Sequence, residues 1–208
     1  MRNTYTLLGF SLLLIIVIAI YAFNQDFTKP ADTERITGSP PSMESTLTLT
    51  SPAFEHNGKI PSKFTCDAKE PDRQVNPMLS ISGVPAGAKS LALIMDDPDV
   101  PKALKPDGVF DHWTLFNLPA GRETLIEEGK VPEGAVVGAN GAGKSAYVGP
   151  CPPPQYEPSE HRYFFRLYAL DTMLDLPEGA SKTDVLRTMQ GHILAQTELI
   201  GKYRRVSQ

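Results

Sequence analysis

Residues 91–101 read Leu-Ala-Leu-Ile-Met-Asp-Asp-Pro-Asp-Val-Pro, and this stretch decides the fold class. Five apolar residues in a row, bounded by turn formers, predict a short strand covered on both faces. The acidic and proline-rich sequel ends it. Pro98 and Pro101 donate no N–H to a sheet and fix the local backbone, while the adjacent carboxylates repel one another at the strand end. Further strands are predicted on either side. Residues 47–50 (LTLT) and 79–82 (LSIS) alternate apolar with polar, the mark of half-buried strands. Residues 112–117 (HWTLFN) and 161–170 (HRYFFRLYAL) are rich in aromatics and suit central strands. Val84-Pro85-Ala86-Gly87, Leu118-Pro119-Ala120-Gly121 and Leu176-Pro177-Glu178-Gly179 are turns between them. One helix is announced: Ser181-Lys182-Thr183-Asp184 resembles a capping box, and Val185, Leu186, Met189 and Ile193 follow at helical spacing until Gly191 weakens the pattern. The expected fold class is mainly β with one or two peripheral helices.

Composition narrows the functions. The chain has 208 residues, 41% hydrophobic, 21% charged and 8% aromatic, the profile of a globular protein and not of a disordered or collagen-like one. Lys and Arg number 20 against 24 Asp and Glu, and no basic run exceeds Arg204-Arg205, which excludes a nucleic-acid binder. Two Cys and four His are too few for a zinc ribbon or a disulfide-dense scaffold. The 19 prolines, about twice the usual share, argue for strands and structured loops over a helical bundle.

Residues 3–25 carry no charge, and 7–23 are almost unbroken Leu, Ile, Val, Ala and Phe, with Tyr5 and Tyr21 near the ends. As a helix this segment spans roughly 30 Å of hydrocarbon. A cleaved signal peptide is the alternative, but the apolar run is long and Ile20-Tyr21-Ala22 lacks the first small residue of a cleavage site. Residues 1–25 are therefore expected to anchor the chain in a membrane, with Arg2 on the inner side, and secretion after cleavage is the rival outcome. Residues 26–45, polar and rich in Pro, Ser and Thr, form a tether. Residues 46–206 form one exported domain, on the periplasmic or other extracytoplasmic side.

The loudest motif is Gly138-Ala139-Asn140-Gly141-Ala142-Gly143-Lys144-Ser145, which fits the phosphate-loop pattern of nucleotide-binding proteins. That loop needs a strand before it and a helix after it, whose N-terminus holds the phosphates. Here Tyr147-Val148-Gly149-Pro150-Cys151-Pro152-Pro153-Pro154 follows, which cannot be helical. A Gly-rich surface loop is the expectation.

Three segments combine polar ligands with rigid prolines: residues 96–101, Asp111-His112-Trp113, and residues 149–154 with His161-Arg162-Tyr163. If these strand ends converge, two imidazoles face an anion and the carboxylates face an ammonium or polarise the rings. Tyr163 lies on the same strand face as His161, whereas Arg162 and Arg166 lie on the other and suit ion pairs. His56 and His192 fall outside this group.

The set DDPDVP, HWTLFNLP and YVGPCPPP…HRYFFRLYALD resembles the phosphatidylethanolamine-binding protein family, in particular its bacterial branch of Raf kinase inhibitor-like proteins. IPSKFTCD at 60–67, NPMLSISGVP at 76–85 and GHILAQTELIGKYRR at 191–205 extend the likeness over the whole body. The resemblance implies a large central antiparallel sheet with a smaller second sheet and a few helices, and a small anion pocket at one end. It assigns Asp97, Asp99 and Pro101 to the family's acidic motif, His112 to its pocket histidine, and Cys151, Pro152 and Pro153 to the pocket loop. His161 and Tyr163 match its His-Arg-Tyr. Phe110 stands where animal members usually carry Trp, and the insertion at residues 155–160 could alter the rim.

The same residues suit other classes of site. Asp97, His112 and His161 could form a two-His-one-carboxylate metal site, but they lie on separate strands and the family requires no metal. Cys151, His161 and Asp97 could be drawn as a nucleophilic triad. An exported domain permits a Cys66–Cys151 bridge instead, although sequence leaves open whether the two come close enough. The expectation is a non-catalytic domain, without cofactor or metal, that binds a small anionic or phosphorylated ligand such as a phospholipid head group. A protein-interaction module, or an inhibitor of proteases or kinases, is the alternative.

Overall fold

The computed structural model describes residues 47–69 and 74–205. The predicted anchor (1–25) and tether (26–45) lie outside the described residues, among which no helix is long and apolar enough to cross a membrane. The elements are β1 (Thr48–Thr50), β2 (Gly58–Lys59), a 3-10 turn (Ser62–Phe64), β3 (Leu79–Ser82), β4 (Ser90–Asp97), β5 (Phe110–Pro119), β6 (Glu123–Ile126), β7 (Val136–Val137), β8 (Glu160–Leu170), α1 (Lys182–Met189) and β9 (Ile193–Arg204). They form a six-stranded sheet in the order β2-β9-β8-β4-β5-β7 and a three-stranded sheet in the order β1-β3-β6. All pairings are antiparallel except β2 with β9. The mainly β class with two sheets and few helices is as the sequence predicts.

β4 explains why residues 91–95 are continuously apolar. It lies between β5 and β8 in the large sheet, and every residue from Ser90 to Asp97 is buried. Leu91, Leu93 and Met95 face the small sheet, where they pack with Leu49, Leu79, Ile81 and Ile126, and with Trp113, Phe165 and Leu167 of their own sheet. Ala92 and Ile94 face the other way, into a second cluster with Phe116, Val185 and Met189. A strand covered on both faces has no polar side to show in its sequence.

Two irregularities in the β4–β5 pairing matter. Between Leu91/Leu118 and Leu93/Leu115 the register shifts, and Asn117 takes a left-handed φ of 58°. Its side-chain amide mimics a backbone unit, accepting from Leu174 N at 2.8 Å and donating to Leu174 O at 2.9 Å, which pins the following loop to the sheet. The second shift falls between Met95/Trp113 and Asp96/Asp111, leaving His112 as the extra residue of a bulge.

α1 begins as predicted: the Ser181 hydroxyl accepts from Asp184 N at 3.1 Å. It ends sooner than the apolar spacing suggests. Gln190 is extended and Gly191 left-handed (φ 82°), so Ile193 opens β9 instead of extending the helix, and Leu186 is exposed. β2, β6, β7 and β9 were not singled out by alternation. The first three are short, and the first half of β9 is mostly exposed, so its apolar residues do not alternate cleanly.

Candidate functional site

At the end of the large sheet, on the face turned to the small sheet, lies a cavity of about 180 Å³. Asp97, Phe110, His112, His161 and the loop from Val148 to Pro153 form its wall. β4 brings Asp97 there because it shares a face with Met95, and β8 brings His161 and Tyr163 because they share a face with Phe165. His112 arrives differently. Plain alternation from Trp113 would turn it toward α1; the bulge lets both His112 and Trp113 face the same side, and sends Asp111 to the other.

The polar groups of the wall are fixed by one another. His161 Nδ1 donates to Asp97 Oδ2 at 2.7 Å, and Asp97 Oδ1 accepts from Asp99 N at 2.9 Å. His112 Nδ1 donates to the Val148 carbonyl at 2.7 Å. In each neutral ring the other nitrogen is then a bare lone pair, which becomes an N–H donor only when the ring takes a second proton. His161 Nε2 is buried and has no hydrogen-bond partner among the described residues, whereas the Tyr163 hydroxyl is buried beside the Asp97 carboxylate. The Tyr163 ring meets His112 edge-on, centroids 5.2 Å apart. Burial first, and the Asp97 charge second, push the Tyr163 phenol far above its usual range, so it is a donor throughout ordinary pH. Burial holds the His112 pKa below its ordinary 6.5, although the Val148 carbonyl and the Asp97 and Asp111 charges oppose this. Among the described residues, no Lys or Arg lines the cavity.

Cys66 and Cys151 are bridged, with Cα atoms 5.3 Å apart. The bridge occupies the sulfur that a Cys151 nucleophile would need. It also fastens one wall of the cavity: Cys66 N donates to Pro150 O at 3.1 Å, and Tyr147 Oη donates to Phe64 O at 2.8 Å, so the proline loop is carried by the segment around Phe64.

Of the predicted site residues, Asp97, His112, Cys151, Pro152, Pro153 and His161 meet at the cavity, with Tyr163 directly behind His112. Asp99 and Pro101 do not reach it. Asp99 turns outward to Arg162, accepting from its backbone N (2.9 Å), Nε (2.9 Å) and Nη2 (2.7 Å), and the guanidinium holds its carboxyl below the usual range. The prolines around it tighten the turn without bringing that carboxylate inward. Phe110, Val100 and Val148 are wall residues outside the predicted set. Only the aromatic position of Phe110 hinted at this.

The Gly-rich segment is no phosphate cradle. Gly141 N donates to Asp111 O, Gly143 N to Asn140 O, Ala146 N to Lys144 O, and Ala142 N and Lys144 N to the Asn140 side chain. Every amide from Gly138 to Lys144 is already used within the protein. On the opposite sheet face Lys182 pairs with Asp111 and with Asp96, and Arg166 pairs with Asp96.

A two-sheet β domain with a small, largely apolar cavity that holds two imidazoles and one carboxylate at a sheet end defines a ligand-binding class of fold. Residues 50–204 match the family of phosphatidylethanolamine-binding proteins, and the chain belongs to that family. It is 49% identical over 163 residues to a UPF0098 protein of Methanothermobacter thermautotrophicus, covering 76% of this chain and 99% of that one. A UPF0098 protein of Chlamydia muridarum is 43% identical over 159 residues, with 76% and 99% covered. Among solved structures, a phosphatidylethanolamine-binding protein homologue from Chlamydia trachomatis superposes with a TM-score of 0.71 at 41% identity, covering 78% of this chain and 99% of that one. YbcL of E. coli does so with 0.66 at 27% identity, covering 77% and 99%.

Proposed function

We propose that this domain binds a small anionic or phosphorylated group, of the kind found in phospholipid head groups, without chemical turnover, and that it does so on the extracytoplasmic side of a membrane to which residues 1–25 anchor it. The observation that carries the first half is a buried, unpartnered polar atom, His161 Nε2, at a cavity lined by two histidines. Buried polar atoms are ordinarily paired, and one left open at a cavity suits a ligand that completes it. An anion oxygen accepts from protonated imidazoles, whereas the Val148, Phe110 and proline walls suit the apolar remainder of the ligand. The family name points to the same ligand chemistry. The uncharged residues 3–25 support the anchor, and the Cys66–Cys151 bridge fits an oxidising compartment.

The test is calorimetry of the full chain in non-ionic detergent with sulfate, phosphate and phosphoethanolamine. Each charged hydrogen bond is worth roughly 1.5–3 kcal/mol, so His161→Ala should weaken binding about tenfold or more. If the wild type takes up none of the three, the pocket reading fails.

A further inference from the structure

Segment 138–145 has no role in the pocket as described so far, yet it touches it at one point. A Cβ built on Gly141 would stand 2.7 Å from Cε2, 2.9 Å from Cδ2 and 3.0 Å from Cζ of Phe110. All three of its nearest atoms belong to that one ring. The ring in turn lines the cavity and meets His112 edge-on, centroids 4.9 Å apart. Phe110 therefore occupies the space that a side chain at position 141 would need.

Of the two partners in this contact, the loop is the fixed one. Gly141 N donates to Asp111 O at 2.7 Å and Ala139 N to Ala180 O at 3.0 Å. The buried Asn140 amide accepts from Ala142 N and Lys144 N and donates to Ala146 O, which ties the loop across its middle. The aromatic ring, by contrast, can swing about its side-chain torsions, and the open space beside it is the cavity. Nor is the backbone what demands glycine here: the left-handed residue of this loop is Gly143, with φ 74°.

We propose that Gly141 is a positioning residue for the pocket: it seats the Phe110 ring against the Gly-rich loop and so sets how large an anion the cavity admits. The phosphate-loop look-alike would thus serve the site as a rigid backstop. This inference rests on the anion-pocket reading above. A side chain at position 141 drives the ring into the cavity, and bulky anions are excluded before small ones.

The experiment compares sulfate with phenyl phosphate by calorimetry of the full chain in detergent. Gly141→Ala should lower phenyl phosphate affinity by about tenfold or more and sulfate affinity by less than about threefold, the scale on which a pocket rejects an added methylene. In a Phe110→Ala background the same substitution should change neither by more than about twofold, because its nearest neighbour is gone. Phe110→Ala alone should raise the preference for phenyl phosphate over sulfate, which keeps the test open should Gly141→Ala fold poorly. NMR of the His112 ring protons adds a readout without ligand: they should shift in Gly141→Ala and stay in place in Lys144→Ala, whose side chain is exposed. An equal loss for both anions, an unchanged ratio, or an effect that persists without Phe110 overturns the inference alone. A wild type that binds no anion overturns the pocket reading and this one with it.

Discussion

His112 and His161 reach the same cavity but are held by different partners, and their protons decide what the site can bind. Both Nδ1–H groups are spent on protein acceptors, so each ring must gain a proton at Nε2 before it can donate to an anion. Burial lowers the pKa of His112 in the empty pocket, and a bound anion raises it by favouring the charged ring. Binding therefore takes up protons. Sulfate, whose charge is constant in this range, should bind more tightly as pH falls from about 8 to about 5, and the gain should level off below the pKa of the empty site. Without ligand the sign reverses: a depressed histidine pKa costs stability as pH falls through about 6.5, so denaturation in the absence of anions should show a weaker fold at pH 5 than at pH 7. A sulfate affinity that is flat with pH would contradict proton uptake. Asp99 gives a contrasting case. Its pair with Arg162 is half in solvent, so Asp99→Asn should cost no more than about 1 kcal/mol in urea denaturation and leave sulfate affinity within about twofold.

Two elements are tied down by interactions that the strand pattern does not reveal. α1 is pinned to the large sheet by Lys182, which reaches Asp96 on β4 and Asp111 on β5. Burial works against its ammonium, but the two carboxylates more than offset this and raise its pKa. Lys182→Met would leave the Asp111 carboxylate without its cation and Asp96 with Arg166 alone. A loss of about 3 kcal/mol is expected in chemical denaturation, partly recovered when Asp111→Asn is added. The second element is the proline loop. The Cys66–Cys151 bridge closes a loop of 85 residues in sequence separation, which constrains the unfolded chain by about 4 kcal/mol. Because Cys151 is also part of the cavity wall, a reductant should lower both the melting temperature and the sulfate affinity. Thiol titration of the denatured, unreduced protein should find no free sulfhydryl.

At the scale of the whole molecule, the prediction concerns location. A segment of more than twenty uncharged residues without a small-x-small cleavage site should keep the full-length protein in the membrane fraction, with the N-terminus inward. Added protease should reach the domain from the extracytoplasmic side only. A mature protein whose N-terminal sequence starts near Asn24 would replace the anchor by a cleaved signal.

The amino-acid sequence by itself determined the strands that carry the core and the helix start at Ser181, because burial on one face or two writes a period into the side chains and a cap needs a particular hydroxyl. It also assembled most of the pocket, since Asp97, His161 and the prolines stand at strand ends and in a loop where their chemistry is visible. The strand β9 left little trace, its first half being mostly exposed. Three matters were settled only in three dimensions. The outward turn of Asp99 depends on Arg162, a residue 63 positions away. The seat of Phe110 depends on the missing side chain of Gly141. The inward turn of His112 depends on a single extra residue in the pairing of β5 with β4. Register is a property of two strands together, so one residue more or less on either moves a side chain to the opposite face without any change in the local pattern.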